Sequence, residues 1–194
     1  MEQINLLNVF IASPGDVTAE REIVREVCTE MSESAFCQTG GFSFRPIGWE
    51  DEIPAAGRPQ EIINKLMDEC DIFICMFHKR FGTPSGKESS GTLEEFLRAY
   101  DSWKNLEKPH IMFYFKDIVV TPGLRHDPQF NEVMDLRDRI EREGLLLYDT
   151  FDNEENFRKK FKKHLEKWLA KYVKEINQQR LEKDKKKHLL HKLP

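Results

Sequence analysis

Short apolar runs alternate along the chain with longer stretches whose apolar residues recur every three or four positions. Leu6 to Ala12 is apolar and partly β-branched, the pattern of a buried strand. Ser13-Pro14-Gly15-Asp16 follows and reads as a helix start: Pro suits the first turn and Asp the positive end of the helix dipole. Ile23, Val24, Val27, Cys28 and Met31 then make one apolar stripe. Gly40-Gly41 turns the chain into Phe42 to Ile47, which alternates as a half-buried strand does. Pro54 to Pro59 is a loop, and Ile62, Ile63, Leu66 and Met67 form the apolar face of a helix that opens near Pro59. Asp71 to Phe77 is the strongest candidate for a central strand, and His78 to Ser90 is a polar, Gly-containing loop. Leu93, Phe96, Leu97, Tyr100 and Trp103 mark the next helix, and Pro109 to Phe115 a fourth strand. Asp127-Pro128 opens a helix with Phe130, Val133, Met134 and Ile140; Leu145 to Tyr148 is a short fifth strand. Asp152-Asn153 caps a last helix that carries Phe157, Phe161, Leu165, Trp168, Leu169, Tyr172 and Ile176 on one side.

Five strands alternating with five helices predict an α/β fold, a doubly wound five-stranded parallel sheet with helices on both faces. The commonest strand order of this kind is 2-1-3-4-5. Beyond about Gln178 the apolar stripe gives way to Lys-rich sequence. The expected organisation is therefore one α/β domain over residues 1–178 and a basic helical tail or linker over 179–194.

Composition narrows the classes. In 194 residues, 14 Phe, 3 Trp and 4 Tyr require burial, which excludes a disordered chain. No apolar run approaches the roughly 20 residues that span a bilayer, and Met1 to Ile4 lack the basic start of a secretory signal. A cytoplasmic location without membrane contact is expected. Cys28, Cys37, Cys70 and Cys75 have no Cys-x-x-Cys spacing, so reduced thiols are expected and a metal site is not. Net charge is -4, but unevenly spread. Phe151 to Pro194 holds 14 Lys+Arg against 7 Asp+Glu, whereas the first 150 residues hold 16 against 27. A basic tail can touch nucleic acid, yet no aromatic interleaving or binding motif accompanies it, and a solvated linker is the plainer reading.

In open α/β sheets, ligands bind beyond the carboxyl ends of the strands, at the switch point between the first and third. The loops that meet there are Ser13 to Asp16, Gly48 to Gln60, and Phe77 to Gly91. Familiar occupants fail. Gly82-Thr83-Pro84-Ser85-Gly86-Lys87-Glu88 is one residue short of a P-loop, and Glu88 stands where the Mg-binding hydroxyl belongs. The acidic residues of a phosphoacceptor and the Gly-x-Gly-x-x-Gly of a dinucleotide fold are both missing. What is left is Ser89-Ser90-Gly91-Thr92-Leu93-Glu94-Glu95. Thr92 with Glu95 three positions on is the pattern of a capping box. The functional alternative sets Glu95 in the first turn of a helix facing the crevice, where a carboxylate can stabilise or attack an oxocarbenium-like centre. Glu94 then points away, toward solvent. Ser13 and Gly15 could hold a phosphate with backbone N–H groups, against plain turn chemistry. Arg58 and Arg80 could pair with phosphate, against a surface role. Trp49 could stack on a base or serve the core. Glu50 and Asp51 could meet ribose hydroxyls, although a solvated loop is favoured. His78 without a defined partner is a weak candidate for a proton shuttle, and Cys75 reads as core.

Gly91-Thr92-x-x-Glu95, opening a helix after the third strand, resembles the Gly-Thr-x-x-Glu of nucleoside 2-deoxyribosyltransferases, whose glutamate is the nucleophile on the sugar. The layout resembles the wider TIR-like superfamily, a flavodoxin-like fold whose NAD-cleaving members use a glutamate in this region. Four segments together resemble a TIR-like domain family found at the head of bacterial signal-transducing ATPases of the NACHT and STAND kinds. They are Val9 to Val17 with Glu20-Arg21; Trp49-Glu50-Asp51 with Gly57 to Ile63; Cys70 to Ile74; and Arg80-Phe81-Gly82-Thr83-Pro84 leading to Ser90-Gly91-Thr92-x-Glu94-Glu95-Phe96. The resemblance implies a TIR-like effector acting in defence or signalling. It implies cleavage of the N-glycosidic bond of a nucleotide, most plausibly NAD+ as substrate with no resident cofactor. Glu95 would be the catalytic carboxylate, with Ser13, Gly15, Trp49, Arg58, Arg80, Gly82 and Thr92 around the substrate. The alternative it implies is a non-catalytic module that self-associates or answers to an attached ATPase or sensor region. The Asp that the transferases often carry before Gly-Thr is replaced here by Ser89-Ser90, a departure that bears on transfer more than on glycosidic cleavage.

Overall fold

The computed structural model describes residues 4–48, 59–85 and 88–190. The chain divides into two compact units, Met1–Arg158 and Lys159–Pro194. In the first unit, β1 (Asn5–Ala12), β2 (Phe42–Ile47), β3 (Ile72–Phe77), β4 (His110–Lys116) and β5 (Tyr148–Phe151) form one sheet in the order β2-β1-β3-β4-β5. Every pairing is parallel. The helices are α1 (Thr18–Glu33), α2 (Ala35–Gly40), α3 (Pro59–Asp68), α4 (Gly91–Leu106), α5 (Pro128–Glu143) and α6 (Glu154–Leu190). The predicted strand order and the central place of β3 are both observed.

β3 occupies the middle because Ile72-Phe73-Ile74-Cys75-Met76-Phe77 offers no polar side chain to either face, and all six positions are buried. Parallel strands covered on both sides carry such continuous apolar runs. On one face Phe10, Phe73, Phe77, Phe113 and Phe115 pack with Phe96 of α4 and Val133 of α5. Phe10 lies parallel to Phe73 at 5.9 Å, and Phe96 meets Phe113 edge-on at 4.9 Å, arrangements that add to simple area burial. α1 buries Val24, Val27, Cys28 and Met31, its expected stripe. All four cysteines are buried and free.

Four local expectations are corrected. The helix after β1 begins at Thr18, not at Ser13-Pro14, and Asp16 stays outside it. The Asp16 carboxylate instead accepts two backbone N–H groups from the loop after β3. A one-and-a-half-turn helix, α2, stands before Gly41 where only a turn was read; the Ser34 hydroxyl caps it, and Gly41 ends it at φ 67. The fifth strand is Tyr148–Phe151, not Leu145 to Tyr148. Gly144 closes α5 in the left-handed conformation, Leu145 and Leu146 tuck against the core, and Leu147 is fully exposed. Finally, Ser90 and not Thr92 caps α4: its hydroxyl accepts the Leu93 N–H at 3.3 Å.

The helix α6 runs unbroken to Leu190. Within Lys159–Pro194, Phe161, Leu165 and Leu169 are buried, and every residue over 177–183 is exposed.

Candidate functional site

The carboxyl ends of β1 and β3 and the N-termini of α4 and α5 surround a crevice of about 640 Å³. It is the place that strand order alone predicts for a ligand. Six of the candidate residues line it: Ser13, Gly15, Arg80, Gly82, Thr92 and Glu95. Trp49, Glu50, Asp51 and Arg58 lie outside the described residues.

Glu95 is only 6% exposed although it lines the crevice. With Ser90 as the cap, the third helical position is Leu93, so Glu95 has no part in a capping box and belongs to the second turn. Phe96 beside it is wholly buried and anchors α4 to the sheet, which turns the preceding residue toward the strand ends. Its charge reaches β3: the buried Cys75 thiol is pushed well above its ordinary pKa, first by burial and then by the Glu95 carboxylate. Thr92, one turn back on the same face, is 7% exposed.

Ser13 directly follows β1 and is 6% exposed, and its Oγ has no hydrogen-bond partner among the described residues. A buried hydroxyl in that state carries a cost that a ligand atom in the crevice would remove. Gly15 stands three positions ahead of α1, where an added Cβ would meet nothing within 4 Å. Backbone access there does not depend on its being glycine. Gly82 is different. Its φ is +111°, and a Cβ would come within 2.9 Å of the Ser90 Oγ. Both the backbone and the space require glycine at this point.

The wall between β3 and α4 is tied at several points. The Ser90 hydroxyl donates to the Phe81 carbonyl while accepting from Leu93, and the Gly91 N–H donates to the Thr83 carbonyl at 3.0 Å. Asp16 Oδ2 accepts from the N–H groups of Lys79 and Arg80 at 2.9 and 3.0 Å. Gln129 Oε1 accepts from those of Phe81 and Gly82, both at 3.0 Å. Arg80 lines the crevice with its guanidinium in no ion pair with any described residue. Among the described residues it is the cation that lines the crevice and can meet an anionic group.

His78 does not line the crevice. Its Nδ1 lies 3.7 Å from Asp16 Oδ2, and burial lowers its pKa, with Asp16 opposing and Lys116 reinforcing that shift. It is placed as a neutral neighbour of Asp16, not as a proton shuttle at the floor. Glu20 and Arg21 are both buried, and Glu20 accepts from Lys116 Nζ at 2.6 Å, an ion pair at the end of β4 and outside the crevice. Glu94 is half-buried and not solvated as expected: it lines a second groove with Asn64, Asp68, Arg98 and Asp101. Asp127 and Gln129 line the crevice and were not expected there. Asp127-Pro128 was legible as a helix start, and Asp127 does accept from Gln129 and Phe130. That the N-terminus of α5 reaches the crevice depends on how the loop after β4 folds back, which no local pattern records.

A family model described as Domain of unknown function (DUF4062) matches residues 8–166. Among solved structures, the chain is similar to the TIR domains of the activated Roq1 resistosome, which directly recognises the pathogen effector XopQ. The two are 15% identical; the match covers 82% of this chain and 99% of that one, with a TM-score of 0.50. That likeness concerns the fold. No curated protein matches the sequence.

Proposed function

The chain belongs to the DUF4062 family, and from that membership, its TIR-like fold and the crevice around Glu95 we propose that it cleaves the N-glycosidic bond of a nucleotide, with NAD+ as the substrate. The observation that carries the reading is a buried carboxylate lining the crevice at the switch point of the sheet, with a buried hydroxyl and a guanidinium on the same walls that have no partner among the described residues. Nicotinamide leaves NAD+ as a neutral base. The bond from the ribose anomeric carbon to the ring nitrogen breaks, and its electron pair stays on that nitrogen. No general acid is needed at the leaving group. The charge that develops is positive and sits on the sugar, so the demand on the protein is one fixed negative group against it. Glu95 supplies that group. Arg80 holds the phosphates; Ser13 and Thr92 hydroxyls meet ribose or phosphate oxygens. Water then adds to the anomeric carbon and releases one proton, giving ADP-ribose.

A second reading is supported by the fold likeness to TIR domains that work within an assembly: a non-catalytic module that self-associates or couples to an attached signalling ATPase in the cytoplasm. The two are separated by incubating the chain, free and tethered at high surface density, with NAD+ and following nicotinamide and ADP-ribose by mass spectrometry. Stoichiometric release of both by the tethered protein supports the enzyme. Absence of both, with no saturable binding of NAD+, supports the module.

A further inference from the structure

Four consecutive backbone N–H groups, those of residues 79 to 82, are each accepted by a side chain that comes from elsewhere in the fold. Asp16, from the loop after β1, takes Lys79 and Arg80; Gln129, from the first turn of α5, takes Phe81 and Gly82. The acceptors approach from different elements. The segment between them carries Arg80 at its centre and ends on the glycine whose φ of +111° no other residue adopts without strain. A run of N–H groups in such a loop commonly forms a nest for a ligand anion. Here that capacity is spent inside the protein. An anionic group in the crevice is therefore met by the Arg80 side chain, whose position depends on how its own backbone is held.

We infer that Gln129 is a positioning residue of the site: through one oxygen it fixes Phe81 and Gly82 and so sets where Arg80 stands over the crevice. The amide is suited to this task. Oε1 accepts both N–H groups, and the Nε2 hydrogens, which no described residue takes, leave the carbonyl end committed to the loop. Asp127, two residues earlier, caps α5 by accepting the Gln129 and Phe130 N–H groups, so the backbone that carries Gln129 is itself anchored. The residue is half-buried on the wall of the crevice and does not touch Glu95 through any hydrogen bond. Its loss should therefore weaken substrate binding and leave the chemical step in place. This inference rests on the proposed function only for its kinetic half.

The test has two arms, both on the full 194-residue chain. The first is amide hydrogen exchange without ligand. In Gln129→Ala, protection at Phe81 and Gly82 should fall while Lys79 and Arg80, held by Asp16, keep theirs. In Gln129→Glu, which retains an acceptor oxygen, protection at Phe81 and Gly82 should return. The second is NAD+ turnover by tethered protein: Gln129→Ala should raise KM about five-fold, the scale of one hydrogen bond from Arg80 to the substrate lost, with kcat within two-fold. Unchanged protection at Phe81 and Gly82 in Gln129→Ala overturns the inference, as does a fall of kcat with KM unmoved. If the wild type neither turns over nor binds NAD+, the proposed function fails, and the exchange arm alone decides whether Gln129 holds the loop.

Discussion

Two adjacent glutamates on α4 meet different surroundings. Successive helical residues are turned by about 100°, which is enough to send Glu95 and Glu94 into separate depressions. Glu95 is buried at the strand ends with hydroxyls, the Arg80 guanidinium and the N-terminus of α5 around it. Glu94 faces a groove of about 440 Å³ between α3 and α4, lined by Asp68, Glu88 and Asp101. The one cation among the described residues there, Arg98, is already held by Asp68 through a bidentate pair at 2.7 and 2.8 Å. One carboxylate stands where a developing positive charge could be placed against it; the other stands half-buried among like charges in the groove between α3 and α4. Identity at the residue level is the same, and the position relative to the sheet makes the chemistry.

The largest expected effect that sharpens this contrast is on rate. Glu95→Asp keeps the charge but draws it back by one methylene, and a misplacement of about 1 Å in a preorganised site costs on the order of 10²-fold. Glu94→Asp should change NAD+ turnover by less than two-fold. Comparable losses in both would break the distinction. Next in size is Gly82→Ala, which forces a side chain into a backbone conformation and a space that exclude it. A destabilisation of about 1–3 kcal/mol is expected, which lowers Tm by roughly 2–4 °C for each kcal/mol in a chain of this length; calorimetry reads it directly. An unchanged Tm would mean the loop beside Glu95 yields freely and does not hold its shape. The smallest effect belongs to the other groove. Asp68 and Arg98 are both largely exposed, so Arg98→Ala should cost no more than about 1 kcal/mol and leave turnover unaltered. A larger loss in a urea melt would show that the Glu94 side is more tightly built than its exposure indicates.

The sequence reading succeeded where periodicity and a single strong residue agree. The apolar run of β3, the Asp127-Pro128 start and the Asp152-Asn153 cap are all local signals, and each element stands where they placed it. It slipped where two local signals competed. Thr92 and Ser90 both offer a hydroxyl, and the choice falls on Ser90 because its Oγ can also donate to Phe81. Leu145 to Leu147 looked like strand, but the turn at Gly144 spends two of those leucines on the core before pairing begins at Tyr148. The candidate site was legible as far as its loops are fixed by strand order. Gln129 and the role of Asp16 in holding the loop after β3 were not, because both depend on contacts between loops 47 to 64 residues apart.

The central claim is that charge on Glu95, in its buried position, does the work on the sugar. The measurement that tests it most directly is NAD+ consumption by tethered wild type, Glu95→Gln and Glu94→Gln at equal surface density, with circular dichroism to confirm that all three are folded. Gln fills the same volume without the charge, and losing a preorganised electrostatic partner costs about 10²–10³ in rate. The account predicts that loss for Glu95→Gln and wild-type turnover for Glu94→Gln. Equal turnover by wild type and Glu95→Gln, clearly above that of buffer, would contradict it.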